Sequence, residues 1–346
     1  MKRHITYRSG SGRLSFHVRR KTVVTIAVLT VLLVAVFVIS TGLGNKFTPP
    51  MDVVRTILGR GTPQDALIVG TLRLPRILLA VLVGAALAVS GSILQGVIRN
   101  PLASPDVIGI TGGAAFAAIF FITYGGGAVG IRWLPAAAFL GAGLVSIVIY
   151  WLAWNKGVTS ARLVLIGIGI SAVTSSLTML MLILSPIKAA GRAYVWLTGS
   201  VYGASWENVY TLMPWVLVWI PLAMVCARHV NVQELGDDIA RGLGAPVQLH
   251  RCMLLGISVA LAGSAVAVGG SIGFVGLIAP HIARKLVGTG FGGLIPVSAL
   301  IGSLMLLIAD TIARTAFLPL DIPAGVFTAG VGAPFFIYLL YRNRNK

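Results

Sequence analysis

The chain has 346 residues, of which 57% are hydrophobic and only 10% charged, and its mean hydropathy is +0.93. A soluble domain carries about 25% charged residues, so this composition excludes a soluble core and indicates a polytopic membrane protein. The formal net charge of +18 would suit a nucleic-acid binder, but the basic residues gather at the ends of apolar runs, which argues for a membrane protein and against nucleic acid as a partner.

Residues 1–21 carry seven Lys or Arg and read as a basic cytoplasmic N-terminus. The run 22–39 is then uncharged. A signal peptide shares this shape. This run, however, is long enough to span, lacks a small-x-small cleavage site and is followed by many more apolar runs, so it reads as the first transmembrane helix. Uncharged runs recur at 77–98, 107–131, 133–155, 163–187, 208–227, 252–283, 286–309 and 322–341, nine in all with the first. A spanning helix needs about 20 residues. Nine spans would put the termini on opposite sides, yet both ends are basic, and basic ends favour the cytoplasm.

The region 252–309 resolves that parity. The run 252–283 has 32 residues, too many for one span and too few for two, and Gly269-Gly270 breaks it. A full helix to about 268, a short one near 275–287 and a full one from about 293 bring the count to ten. Short, glycine-interrupted helices are tolerated where they face protein or a water-filled path. The expected fold is therefore an all-α polytopic membrane protein of about ten transmembrane helices, including one short broken helix near 275–287, with both termini cytoplasmic. It forms a single transmembrane domain over 22–342 with a tail at 343–346. On this topology 18 basic residues are cytoplasmic and nine external: Lys46, Arg55, Arg60, Arg73, Arg76, Arg132, Lys188, Arg192 and Arg314. Glycines inside the spans, such as Gly84, Gly91, Gly96, Gly167, Gly169 and Gly263, suit close helix packing in lipid.

A polar interruption at 228–250 carries Glu234, Asp237 and Asp238, three of the nine acidic residues. Asn231 can cap a helix with Glu234 at its third position. Leu235, Ile239 and Leu243 recur every four residues as one apolar stripe, and Asp237 and Arg241 have the spacing of an ion pair. Gly242, Gly244 and Pro246 end the helix, at about 231–242. Lying in the headgroup layer would set its acidic residues against anionic lipid, so a docking handle for another protein is the better reading.

Catalytic and nucleotide chemistry finds no support. None of the seven lysines follows a glycine, so no phosphate-binding loop is present. No His-Glu-x-x-His occurs and the five histidines are dispersed. Cys226 and Cys252 suggest no disulfide framework. Asp310, with Arg314 four residues on, is either a structural ion pair or the intramembrane carboxylate of an ion-coupled transporter.

Arg73-Leu-Pro-Arg76, Gln95, Asn100-Pro-Leu-Ala103, Pro105-Asp-Val-Ile-Gly109, Trp196-Leu-Thr-Gly-Ser200 and Ala240-Arg-Gly-Leu-Gly244 stand in order along the chain. The stretch from Gly270 to Arg284, Ala309-Asp310, Arg314, Asp321-Ile-Pro-Ala-Gly325 and Gly332-Ala-Pro-Phe335 continue the series. Together these blocks closely resemble the FecCD-type permeases of ABC importers for iron-siderophores, haem and vitamin B12. The resemblance implies a transport subunit without enzymatic activity or a cofactor of its own. Its partners would be two ATPase subunits that use ATP and Mg, a second permease subunit, an extracytoplasmic substrate-binding protein and membrane lipid. It assigns Arg73, Arg76 and Arg314 to docking of the binding protein, where arginine's planar fork grips carboxylates; snorkelling to headgroups is the alternative. It assigns the segment containing Glu234, Leu235, Asp238, Ile239, Arg241, Leu243 and Gly244 to ATPase coupling. It offers Thr159 and Ser160 as a cytoplasmic gate, where helix capping serves as well. His281 reads as structural, since a siderophore already fills the metal's coordination sphere. The family commonly has Glu where this chain has Asp321. Ferric siderophores are the expected cargo, with vitamin B12 or haem as alternatives.

Overall fold

The computed structural model describes residues 4–8, 15–44, 47–125, 130–317 and 320–343. Lys46, residues 1–3 and 9–14 of the basic N-terminal stretch, and residues 344–346 of the tail lie outside them. The chain opens with a feature that the all-α expectation lacks. β1 (His4–Arg8) and β2 (Ser15–Arg19) pair antiparallel, His4 opposite Arg19 and Arg8 opposite Ser15. Both stretches mix β-branched and aromatic residues with polar ones, a composition that favours strands.

Helices make up the rest. α1 (Arg20–Gly42) and α2 (Pro50–Ile57) lead to α3 (Pro63–Ile98), whose segment Ala66–Arg73 is wound as a π helix. α4 (Ile110–Gly125), α5 (Ile131–Leu152) and α6 (Ser160–Leu184) follow, then α7 (Ile187–Thr198) and α8 (Trp206–Val225). Two short helices, α9 (Ala227–Glu234) and α10 (Asp237–Gly242), precede α11 (Val247–Gly269), α12 (Val275–Val287), α13 (Phe291–Thr315) and α14 (Ala324–Asn343). Among the described residues seven helices, namely α1, α3, α5, α6, α8, α11 and α13, are long and apolar enough to cross a membrane, while α4 and Ala324–Tyr338 of α14 are shorter apolar helices.

α3 is the axis of the bundle. The most apolar window of α3 is 83% buried, against 6% for α1, which leaves α1 on the rim. α3 packs against α13, α11, α12 and α8. Small residues permit this, since lipid offers no hydrophobic drive and close backbone contact must supply the attraction. Gly84 lies against the Gly302 backbone, and Gly91 against the carbonyl of Gly276 in α12. Gly96 receives Val230 and Phe291, whereas Gly169 faces open space.

The break at Gly269-Gly270 occurs where the sequence places it. Gly270 has φ +71, and a Cβ there would strike the Trp196 carbonyl, so only glycine fits. Phe274 also adopts a left-handed conformation, φ +68, immediately before α12. The chain is pinned on both sides of the break: Ser200 N donates to Gly269 O at 2.8 Å, and Gln95 Nε2 donates to Leu277 O at 3.2 Å.

The Gly91 contact is directly testable. Gly91→Leu forces α3 away from α12, and overpacking of this kind costs about 1–3 kcal/mol. Thermal unfolding of the purified protein in detergent will show a lowered midpoint, while Gly169→Ala leaves the midpoint unchanged or raised.

Candidate functional site

Polar groups collect at two levels of α3, around Arg76 and at its C-terminal end. Arg76 and Arg99 are about 35 Å apart at 1.5 Å per residue, and each stands in its own cluster.

At the Arg76 end, Arg73 Nη1 donates to Thr41 O at 2.9 Å and Gly42 O at 3.2 Å. Arg76 Nε donates to Asp310 Oδ1 at 2.9 Å, and its two terminal nitrogens grip Asp321 bidentately at 2.7 and 2.8 Å. The Tyr202 ring lies 5.5 Å from the Arg76 guanidinium. Arg314 donates to Leu43 O at 2.8 Å, to Ser40 O and to Ser40 Oγ, with Nε 3.7 Å from Asp310 Oδ2. Arg76 is 11% exposed, Arg314 8% and Asp310 0%. Arg73, Arg76 and Arg314, which the resemblance assigns to docking of the binding protein, are largely buried in this chain. These cations are desolvated, and buried charge is tolerated only when paired and hydrogen-bonded; their forks are engaged within the chain. Asp310 is bound in an ion-pair network with Arg76 and Arg314. Asp321, despite its short side chain, reaches Arg76.

At the Arg99 end, the single helix expected at 231–242 is two helices. Asn231 lies inside α9, where its Oδ1 accepts from Phe291 N at 3.0 Å instead of capping. Gly236, at φ +105, turns the chain between α9 and α10. Glu234 ends α9; burial pushes its carboxyl up from the ordinary range, and nearby Arg284 pulls it partly back. The expected Asp237–Arg241 pair does not form. Asp237 accepts from Arg251 Nη2 at 2.8 and 3.0 Å and pairs with Arg99 at 3.3 Å, because these two basic groups converge on the first residue of α10. Arg241 instead approaches Asp238 at 3.9 Å, in solvent, where a pair contributes little. Leu235, Ile239 and Leu243 are 53%, 57% and 65% exposed, while Ala240 is buried. Gly244, at φ +79, closes the segment.

Thr159 is the N-cap of α6, its hydroxyl accepting from Arg162 N at 3.4 Å, and Ser160 Oγ donates to Val97 O at 3.0 Å. Both hydroxyls thus hold the start of α6 in place. His281 meets Phe335 edge-on at 5.7 Å. Cys226 and Cys252 are free thiols. Among the described residues no three His, Cys, Asp or Glu converge as metal ligands.

A cavity of about 970 Å3 opens beside α6. Ser171, Ser175 and Thr178 of α6 line one wall, and Asp106 and Ser271 another. Asp106 accepts from Thr111 Oγ1 at 2.7 Å and from the backbone N–H of Phe274, so it holds the N-terminal end of α12. No role was foreseen for Asp106; its signal was a lone carboxylate between two apolar runs.

Residues 32–342 match the FecCD transport family. The chain belongs to this family. It is 50% identical over 332 residues to "Probable siderophore transport system permease protein YfhA" of Bacillus subtilis (strain 168), covering 94% of this chain and 97% of that one. The achromobactin transport system permease protein CbrC of Dickeya dadantii (strain 3937) is 49% identical, with 96% of each chain covered. Among solved structures, an inward-facing ABC transporter of metal-chelate type superposes with a TM-score of 0.83 at 32% identity, over 92% of this chain and 98% of that one. As a FecCD protein with seven spanning-length helices among its described residues, the chain is a multi-pass permease of the cytoplasmic membrane.

Asp310→Asn will test the network at the Arg76 end. Removing one charge of a buried pair costs about 3–5 kcal/mol, so the FecCD chain will show a lowered unfolding midpoint in detergent, read by intrinsic tryptophan fluorescence.

Proposed function

We propose that this permease is the membrane channel subunit of an ATP-driven importer for a ferric siderophore, working by alternating access. The observation that carries the cargo assignment is the 50% identity, spanning nearly the whole chain, to a permease named for siderophore transport. A relative from Halobacterium salinarum named as a cobalamin import permease, 41% identical over 81% of this chain, makes cobalamin the second reading.

The ten-span topology with both termini cytoplasmic fits the placement of the charges. Arg99, Asp237, Arg251, Glu234 and Arg284 gather at one end of α3, and Arg73, Arg76, Asp310 and Arg314 at the other. The first end is taken as cytoplasmic. There the exposed stripe Leu235, Ile239 and Leu243 is the docking face for one ATPase subunit of a pair, and Glu234, Asp238, Arg241 and Gly244 flank it. ATP and Mg act on those partners. The second end is external. Its open basic groups are Arg55, Arg60, Arg132, Lys188 and Arg192, all exposed. These, braced from below by the Arg76 network, form the face that meets acidic groups of a loaded binding protein, where complementary charge steers docking. A second permease subunit, identical or paralogous, completes the pathway with the cavity beside α6, and lipid covers the rest. Hydroxyl walls without a cation suit cargo that must leave again.

Two experiments test this reading. Ile239→Asp with Leu243→Asp will lower copurification of the ATPase subunits by about tenfold or more, as expected when apolar anchors leave an interface centre. Lys188→Glu with Arg192→Glu will slow association of the binding protein by about fivefold or more at low salt, with the loss shrinking as salt rises. Binding of ferric siderophores and of cobalamin to that binding protein, followed by fluorescence quenching, will separate the two cargo readings.

A further inference from the structure

The proposed ATPase face on α10 and the cavity wall on α6 belong to different parts of the chain, yet a closed ring of polar contacts ties them together. Asp237, the first residue of α10, accepts two hydrogen bonds from Arg251 of α11. Arg251 is fully buried and its other terminal nitrogen donates to the carbonyl of Val158. Gln248, one turn earlier on α11, grips the same peptide from both sides: its Oε1 accepts from Val158 N at 3.0 Å and its Nε2 donates to Val158 O at 3.1 Å. Val158 is itself buried, and the next two residues begin α6. Ser160 then donates to Val97 O near the end of α3, and Arg99, two residues later, returns to Asp237 at 3.3 Å.

The turn between α5 and α6 is held from its other side as well. Arg162 Nη1 donates to the carbonyls of Ala153, Asn155 and Gly157 at 3.2 to 3.3 Å. The turn is therefore hydrogen-bonded directly to the first turn of α6. One helical surface beyond it, Ser171, Ser175 and Thr178 face the cavity. A buried charge pair is directional and strongly position-dependent, so a shift of Asp237 must carry Arg251 with it or leave a bare cation in the protein interior.

We infer that Asp237, Arg251 and Gln248 are positioning residues that transmit displacement of α10 to the Val158 turn, and through it to the cavity wall on α6. The inference rests on the proposed coupling role of α10 but adds what the docking face alone lacks, a mechanical path into the bundle. None of the three belongs to the exposed stripe. Leu235, Ile239 and Leu243 meet the partner, and the ring lies beneath them.

The test uses the whole importer in proteoliposomes, with uptake of an iron-55 trihydroxamate chelate and of iron-55 citrate measured beside ATP hydrolysis. Asp237→Asn alone leaves Arg251 unpaired and can fail to fold, so the informative variant is Asp237→Asn with Arg251→Met, which removes the pair together. Gln248→Leu is a second, independent arm that releases Val158 while keeping the ion pair. The expected result is normal copurification of the ATPase and hydrolysis within about twofold of the parent, with uptake per ATP falling about fivefold or more in both variants, the scale of a typical coupling free energy. Unfolding midpoints near that of the parent exclude a general loss of structure. Uptake per ATP unchanged in both variants overturns the relay. Loss of the ATPase from either variant but not from the parent also overturns it, since the ring would then belong to the docking surface. Failure of the parent chain itself to hold the ATPase or to take up either chelate would count against the importer reading instead.

Discussion

Within a bilayer every backbone N–H and C=O must find a partner inside the protein, and the break between α11 and α12 is where this requirement bears hardest. Residues 270–274 are not helical; Gly270 and Ile272 are buried, while Ser271, Gly273 and Phe274 line the cavity. Their neighbours absorb the cost. Gly270 N is taken by Val266 O, Ser200 N covers Gly269 O, and Ser271 N reaches Trp196 O. On α3, Gln95 donates into the first turn of α12 and accepts from Arg284 at 2.6 Å. Gly91 lets α3 come near enough for this to happen. The short helix, the small residues of α3 and the buried glutamine form one solution to one constraint.

The same economy governs charge. Ionised groups are costly in hydrocarbon, and the buried ones among the described residues, Arg73, Arg251, Asp310 and Arg314, lie in two networks along α3. At one end Asp310 and Asp321 neutralise Arg76 while carbonyls of the α1 terminus satisfy Arg73 and Arg314. These contacts tie α1, α3 and α13 into a rigid cap. At the other end Asp237 shares Arg99 and Arg251, so a short surface helix is fastened to the body by its first residue. Beside it Leu235, Ile239 and Leu243 remain exposed.

Much of this was legible from composition and spacing. Charge content and uncharged runs sufficed to identify a polytopic membrane chain, because lipid admits few charges. Gly269-Gly270 marked the broken helix, since a run of 32 residues fits neither one span nor two. Leu235, Ile239 and Leu243, spaced by four, are each exposed, although the turn at Gly236 leaves Leu235 outside α10. The order of motifs along the chain was enough to point to the FecCD family.

Partner choice was not legible. Local spacing matched Asp237 with Arg241, four residues on, but the fold brings Arg251 and Arg99 closer, and a buried arginine outcompetes a solvated one. Asn231 looked like a cap until α13 arrived to use it. For Arg73, Arg76 and Arg314 the sequence shows charge but not the carbonyls and carboxylates that surround them. Sequence by itself determined that the chain is a multi-pass membrane protein and where the helix breaks, because these depend on hydrophobic run length and on the steric freedom of glycine. Only the tertiary structure decided which carboxylate meets which arginine and what lines the cavity. The carboxylate–arginine contacts join residues up to 245 positions apart, and their strength depends on burial that no local pattern encodes.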